Sequence, residues 1–467
     1  MQEPCHLYML PIGGTAMASL AGLLHAAGER VCGVDSALYP PMSELLADLG
    51  IPVRLGYDPE RIPPDVSLVV IGNAIPRTNV EVQAVLARGL PYTSQAAAFG
   101  ERFCRGRRPV VVAGTHGKTT TSALTAHLFV EAGLDPTVLV GGVPQGGSPF
   151  RLGHGVWTVV EGDEYNTAFF DKGPKFLHYA PHLFVVNNVE FDHGDIYPDL
   201  DAILAAFRAG VARVGPDGWV VVNGSDPGAR SAAAGAAHVV RYGLDDRSDL
   251  RCVEWDHQNG GLSTRLAWGG EVFEVSVPLV GRHNLDNLLA AVACALLAGI
   301  PPAAIAEAAR TFRGVRRRLE VVGEAAGVVV VDDFAHHPTA VRLTLEGARH
   351  RFPGRRLVAV FEPRSLTAGR QEFAAAYEDA FAQADVAVLA PVFHRGRLDP
   401  SAVLDRPALA AALGRHGRGA IAVPDGADPL DAALATAHAG DVVLCMSSGD
   451  FGGLPRRLLA ALEARSR

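Results

Sequence analysis

Residues 109–122, PVVVAGTHGKTTTS, constrain this chain more than any other stretch. Val110, Val111 and Val112 form a short β-branched run that reads as a buried strand. Gly114 and Gly117 then break it at a tight turn. Lys118, Thr119 and Thr120 open an amphipathic segment with Leu124 and Leu128 four apart. A strand, a glycine-rich turn, Lys-Thr and a helix make the architecture that cradles a nucleotide's phosphates. Small residues let backbone N–H groups approach the oxygens. The helix N-terminus adds partial positive charge, Lys118 adds a full one, and the Thr119 hydroxyl can hold Mg²⁺. The pattern is not a full G-x-x-x-x-G-K-[ST], because Val112 stands at its first glycine. By itself it also fits an ordinary strand–turn–helix with a snorkelling lysine.

Lysine usage favours the phosphate reading. The 467 residues hold three lysines, Lys118, Lys172 and Lys175. Arginine has replaced lysine wherever a planar fork can serve, so the survivors mark places that need a compact ammonium. One lies in the phosphate loop and two lie in the segment FDKGPK.

The length fits about three domains. With 48% hydrophobic and 20% charged residues, each can bury a core. A net charge of −8 argues against a nucleic-acid binder. Cys5, Cys32, Cys104, Cys252, Cys294 and Cys445 are scattered with no C-x-x-C, as expected of free thiols in a reducing cytoplasm. The N-terminus lacks a basic region and Gly13-Gly14 interrupt its apolar run, so no signal peptide is expected. The longest apolar run, residues 288–300, falls short of the roughly 20 residues that span a bilayer.

Residues 1–107 read as a small α/β domain. Strands are expected at 6–10, 31–34 and 68–71, with a helix from Thr15 to about Ala27. Gly13, Gly14, Thr15 and Met17 form the first turn, and Asp35 follows about 20 positions on, where a ribose or base hydroxyl would be held. A plain structural turn explains the same residues equally well. Asn73 lies in the loop after the third strand, at the end where open α/β sheets bind ligands. The stretch 101–108, ERFCRGRR, reads as a polar hinge whose four arginines are solvated linker charge.

Residues 108–314 read as the central domain. The strand 156–160 ends in Glu161-Gly162-Asp163-Glu164. An acid at the end of a buried strand beside a phosphate loop is the usual metal-holding carboxylate, which favours Glu161. Strand 183–186 runs into Asn187-Asn188-Val189-Glu190-Phe191-Asp192-His193, and His193 shares that edge with Lys118 and Glu161. Further β structure is expected at 219–222 and 271–277. Asn284, near the start of the apolar helix after Gly281, reads either as an adenine contact or as a helix cap. In the third domain, 315–467, strands at 327–331, 357–361, 386–389 and 442–446 alternate with helical stretches, a Rossmann-like sheet. His336 and His337 are adjacent and point apart, which disfavours a two-histidine metal site.

Taken together, GTHGKTTT, the EGDE strand end, EFDH, GRHNLDN, RRRLE and DDFAHHPT resemble the Mur ligase family over essentially the whole chain. The resemblance implies an α/β chain of three domains: a Rossmann-like UDP-sugar domain, a P-loop central ATPase domain, and a Rossmann-like C-terminal domain that closes on ATP. It implies an ATP-dependent cytoplasmic amide ligase of peptidoglycan metabolism with Mg²⁺ as cofactor. Within the family, YPPMSELL, IGNAIPRTN, EYNTAFFDKGPKFLHY, NNVEFDHGDIY and FEPRS resemble the branch that joins UDP-N-acetylmuramate to the tripeptide L-Ala-γ-D-Glu-meso-diaminopimelate. The branch that adds L-alanine is the alternative, and a non-catalytic nucleotide-sugar sensor is the rival of another class.

The resemblance assigns Gly114, Thr115, His116, Gly117, Lys118, Thr119 and Thr120 to ATP, with Asn284 and Asn287 on the adenine side, Arg318 at the phosphates and Asp333 on the ribose. It assigns Thr119, Glu161 and His193 to Mg²⁺. His336 and Arg364, with Ser365, fall where the family closes on the reacting centre and the incoming amine. Gly13, Gly14, Thr15, Met17, Asp35 and Asn73 match the UDP-sugar side. Pro11, Gly162 and Asn166 depart from the family pattern, and Asp450 stands where the tripeptide branch tends to have glycine, nearer the L-alanine branch. No lysine follows Lys175, so no carbamylated lysine is expected beyond EFDH. ERFCRGRR and FRGVRR are the expected hinges.

Overall fold

The structure, a computed structural model, describes residues 6–192, 194 and 196–465. The first sheet is five-stranded and wholly parallel. Its order is Val53–Leu55, Arg30–Asp35, His6–Leu10, Leu68–Ile71, Tyr92–Ser94. The third sheet has six strands, with Val328–Asp333, Val442–Met446 and Leu357–Phe361 at its centre and Glu320–Ala325 antiparallel at one edge.

The central sheet has ten strands. Its parallel core runs Val239–Gly243, Trp219–Asn223, Leu183–Val186, Arg108–Ala113, Trp157–Gly162, Thr137–Leu139. Leu250–Gln258 continues it in parallel beside Val239–Gly243, and antiparallel strands then extend both ends. Residues 110–113, 183–186 and 219–222 are uninterrupted apolar runs because helices or neighbouring elements cover both faces. Ala113 pairs with Val186 on one side and with Gly162 on the other. That register delivers the turn after Ala113, the acids after Gly162 and the asparagines after Val186 to one edge.

The first two sheets share one apolar core. Leu20, Phe99 and Phe103 belong to the same buried cluster as Val111, Phe176 and Phe184. The expected hinge at 101–108 is part of this join. Gly100–Cys104 is a wide helical turn, and a side chain at Gly100 would collide with the His178 carbonyl. The Thr158 hydroxyl donates to the Phe103 carbonyl at 2.6 Å. Arg107 is not solvated linker charge: it donates to the Thr137 hydroxyl at 2.9 Å and to the carbonyls of Gly153 and Gly155 at 3.0 Å each. Arg102, Arg105 and Arg108 are exposed, as expected.

The third sheet has its own apolar clusters on its two faces. Its connection, the segment after helix Pro302–Thr311, touches the central sheet through the Pro144–Val315 bridge. Cys104, Cys252, Cys294 and Cys445 are buried free thiols and Cys32 is half-buried; Cys5 lies outside the described residues. Among the described residues, no helix is long and apolar enough to cross a membrane.

Candidate active site

The phosphate loop has the expected conformation. Gly117 precedes helix Lys118–Glu131 with φ at +81°, a left-handed backbone that favours glycine. A Cβ there would also collide with the Asn287 side-chain oxygen. The Lys118 ammonium donates to the Gly114 carbonyl at 2.7 Å and to the Glu164 carboxylate at 2.9 Å. Burial alone would lower its pKa. The carboxylates of Glu164, Asp163 and Glu161 outweigh burial and hold it above the ordinary value.

Thr119 and Glu161 meet beside this lysine. The Thr119 hydroxyl donates to Glu161 at 3.3 Å, and the Gly141 N–H donates to the other carboxylate oxygen at 2.7 Å. Burial and then the Asp163 charge raise the Glu161 pKa, against the Gly141 N–H, Lys118 and Arg318. A buried carboxylate short of positive charge, next to a hydroxyl, is an all-oxygen donor pair suited to Mg²⁺. Asp163 is paired elsewhere, with Lys175 at 3.0 Å and the Tyr165 hydroxyl at 2.7 Å. His193, expected to join this metal set, lies outside the described residues.

The turn is pinned from the side by residues 188–190. Asn188 accepts from the His116 N–H at 2.7 Å, and the Glu190 N–H donates to the Thr115 hydroxyl at 2.9 Å. The His116 ring lies 3.3 Å from the Glu190 carboxylate. Across the domain boundary, the Thr339 hydroxyl donates to the same carboxylate at 2.8 Å, and His337 packs against His116 with ring centres 4.9 Å apart. Burial pushes Glu190 up. The bonds from His116 and Thr339 and the charges of His116 and His337 outweigh it and bring it down to about 2.

Asn284 and Asn287 are tied into a buried chain of side chains. Asn187 donates to the Thr121 hydroxyl, Thr121 to Asn287, Asn287 to Asn284 and Asn284 to the Val280 carbonyl, at 2.7–3.0 Å. The chain ties the phosphate-loop helix to helix Arg282–Leu297. Asn284 is not the helix cap, a position that Gly281 occupies.

Asp333 is similarly committed. Its carboxylate accepts from the N–H groups of Leu319 at 2.7 Å and Ala335 at 2.8 Å, and from the Thr344 hydroxyl at 3.2 Å. These bonds set the turn that carries Arg318, whose guanidinium donates to the Thr119 hydroxyl at 3.3 Å. Thr120 is buried in the first turn of the loop helix.

At the first sheet, the Gly13 N–H donates to Asp35 at 2.7 Å. Helix Thr15–Ala26 has no side-chain cap, which leaves its first N–H groups for an anion. Gly14 and Asn73 are exposed beside it, while Met17 is buried beneath the turn. On the third domain, the His336 ring is bonded to the Phe334 carbonyl at 3.1 Å. Arg364 pairs with Asp450 at 3.0 Å and stacks over Phe393. The Ser365 hydroxyl accepts from the Ala368 N–H at 3.0 Å and so closes its own turn.

Sequence reasoning missed Glu164, Glu190, His337 and Thr339 as parts of this site. A signal existed for the first two, since both follow buried strands at the edge that carries the phosphate loop. Thr339 and His337 gain their role only when the domains dock.

This fold and site define a class: a three-domain α/β protein with a glycine-rich, lysine-bearing turn and buried carboxylates at one edge of its central sheet. Residues 6–106 match the Mur ligase family catalytic domain, 112–295 the Mur ligase middle domain, and 317–449 the Mur ligase glutamate ligase domain. The chain belongs to the Mur ligase family, a family of ATP-dependent ligases. It is 38% identical over 98% of its length, and 99% of the other chain, to the UDP-N-acetylmuramate–L-alanyl-γ-D-glutamyl-meso-2,6-diaminoheptandioate ligase of Escherichia coli K12. It is 37% identical over 98% of its length, and 96% of the other's, to the UDP-N-acetylmuramate–L-alanine ligase of Kineococcus radiotolerans. The crystal structure of a murein peptide ligase from Psychrobacter arcticus superposes with a TM-score of 0.76 at 32% identity, covering 98% of this chain and 99% of that one.

Proposed function

We propose that this protein joins UDP-N-acetylmuramate to the tripeptide L-Ala-γ-D-Glu-meso-diaminopimelate in the cytoplasm, at the cost of ATP. The observation that carries the reading is end-to-end similarity to the E. coli tripeptide ligase. The division at 107/108 and 314/315 separates the UDP-sugar, ATP and closing parts. The γ-phosphoryl of ATP passes to the lactyl carboxylate of UDP-N-acetylmuramate, giving an acyl phosphate and ADP. Lys118 exchanges Glu164 for phosphate oxygens and offsets the charge that spreads over them in the transition state. Arg318 reaches the same phosphates from the third domain. Thr119, Glu161 and His193 would hold Mg²⁺, which supplies Lewis-acid charge at the β- and γ-phosphates when bound. Gly13–Thr15 and Asp35 hold the UDP end of the donor.

The α-amine of the peptide then attacks the acyl carbon, and phosphate leaves from the tetrahedral intermediate. His336, Arg364 and Ser365 border the acceptor side. The third domain, docked on the phosphate loop through Thr339 and His337, keeps water from the acyl phosphate.

L-Alanine as acceptor is the second reading, favoured by the 37% identity to the Kineococcus L-alanine ligase. Amine-dependent ADP release with UDP-N-acetylmuramate decides between them. Turnover with the tripeptide and none with L-alanine supports the first. The reverse result replaces it with the second, and tight nucleotide-sugar binding without any turnover ends both.

A further inference from the structure

Away from the ATP loop, a cavity of about 480 Å³ opens where the first domain meets a hairpin of the central one. The hairpin strands are Asn166–Ala168 and Asp171–Pro174. Phe169, Phe170 and Lys172 line the cavity from the hairpin, and Arg77, Leu86 and Tyr92 line it from the first domain. The rings form a continuous wall: Phe170 stands edge-on to both Tyr92 and Phe169, with centres 5.0 Å apart in each case.

The cavity is cationic. Arg77 and Lys172 have no ion-pair partner among the described residues, and no carboxylate lines the site. Asp171, the nearest acid in sequence, is turned to His178 at 2.7 Å and to the Gly173 N–H. Two cations without a carboxylate partner on one apolar-walled cavity suit an anion with an aliphatic stem.

The hairpin grows from the catalytic edge. Asn166 follows two residues after Glu164, the partner of Lys118. Five residues separate Glu164 from Phe169, so the tip lies at most about 17 Å from it. A three-residue acceptor with a γ-linkage reaches about 15 Å. The donor's diphosphate has a different seat, the uncapped N-terminus of helix Thr15–Ala26. The cavity lies instead beside the edge strand Tyr92–Ser94 of the same sheet.

We propose that this cavity receives the carboxylate-bearing distal end of the acceptor peptide. Arg77 and Lys172 contact its carboxylates, and Tyr92, Phe169 and Phe170 cover its aliphatic stem. The assignment rests on the tripeptide reading above.

The test is steady-state kinetics of Arg77→Ala, Lys172→Ala and the double variant, with Lys172→Arg as the conservative control. Both side chains are exposed, so the variants fold. In the double variant the KM for the tripeptide should rise about tenfold or more, while kcat and the KM values for ATP and UDP-N-acetylmuramate stay within about twofold. Lys172→Arg should retain most of the wild-type KM. An unchanged tripeptide KM, or a rise in the KM for UDP-N-acetylmuramate instead, overturns the assignment and leaves the tripeptide reading standing. A wild-type enzyme that uses L-alanine and not the tripeptide overturns both, and that result comes before any variant is made.

Discussion

Thr339, in the first turn of a third-domain helix, donates its hydroxyl hydrogen to Glu190 of the central domain at 2.8 Å. Glu190 also faces His116 of the phosphate loop, so one carboxylate reads the loop and the docked domain together. A hydrogen bond to a partly exposed carboxylate is worth about 1 kcal/mol. Thr339→Val should therefore lower kcat/KM for ATP about fivefold while leaving the melting temperature of the isolated protein nearly unchanged. Unaltered kinetics would show that the contact does not assist closure.

Lys118 and Glu164 make a second separable prediction. Glu164 is buried, with 2% of its side chain exposed. Lys118→Met takes the ammonium away from that carboxylate, and breaking a buried pair costs about 3–5 kcal/mol. It should also reduce kcat by about 10²–10³. The double variant Lys118→Met/Glu164→Gln should regain most of the stability in urea denaturation and none of the activity. Recovery of ADP release in the double variant would remove Lys118 from the chemistry.

Two histidines set an acid limit. Burial, then neighbouring charge from His116, lowers His337 to about 4. Burial, then Arg318 and Arg342, lowers His283 to about 4. From pH ~6.5 down to ~4 the unfolded chain binds protons that the folded chain refuses, so stability is complete above this window and falls within it. Each histidine contributes a slope of at most about 1.4 kcal/mol per pH unit. Glu190, held at about 2 in the fold, works the same way lower down: its contribution is complete above ~4.5 and disappears toward 2. Urea denaturation at several pH values should give a shallower dependence for His337→Gln than for the wild type; equal slopes would refute the assignment.

Asp450 departs from the glycine expected at its position, and it pairs with Arg364 at 3.0 Å. Asp450 is exposed and Arg364 half-buried, and such a pair at the surface is worth about 0.2–1 kcal/mol. Asp450→Gly should leave Arg364 held by Glu362 alone, at 3.4 Å, and so lower the acceptor KM about two- to fivefold, with the KM for ATP unaltered. A rise in acceptor KM would mean that the pair itself positions Arg364.

The strands that carry the site were legible because they are apolar, β-branched and bounded by polar loops. Residues 183–186, 357–361, 386–389 and 442–446 fall on the observed strands residue for residue. Strands at 53–55, 137–139 and 150–151 were not, since two or three residues hold no period. The hairpin at 166–174 was singled out by its lysines, yet Asp171, Gly173 and Pro174 conceal its β character. The commitments of Asn287 to Thr121 and of Asp333 to Leu319 were invisible, because both depend on residues brought together from more than ten positions away. The acids of EGDE were legible as a group. Which of them meets the lysine and which meets the threonine is decided by alternation at the strand end, where one residue's shift exchanges their faces.

The apolar core that runs unbroken from Phe99 and Phe103 into Val111 and Phe184 turns the first two domains into a single jig. The Gly13–Asp35 turn and the phosphate loop are fixed to the same block, so the span between them is set when the protein folds. Adjustment is left to the other jaw, which is joined to the block by the strip around Val315.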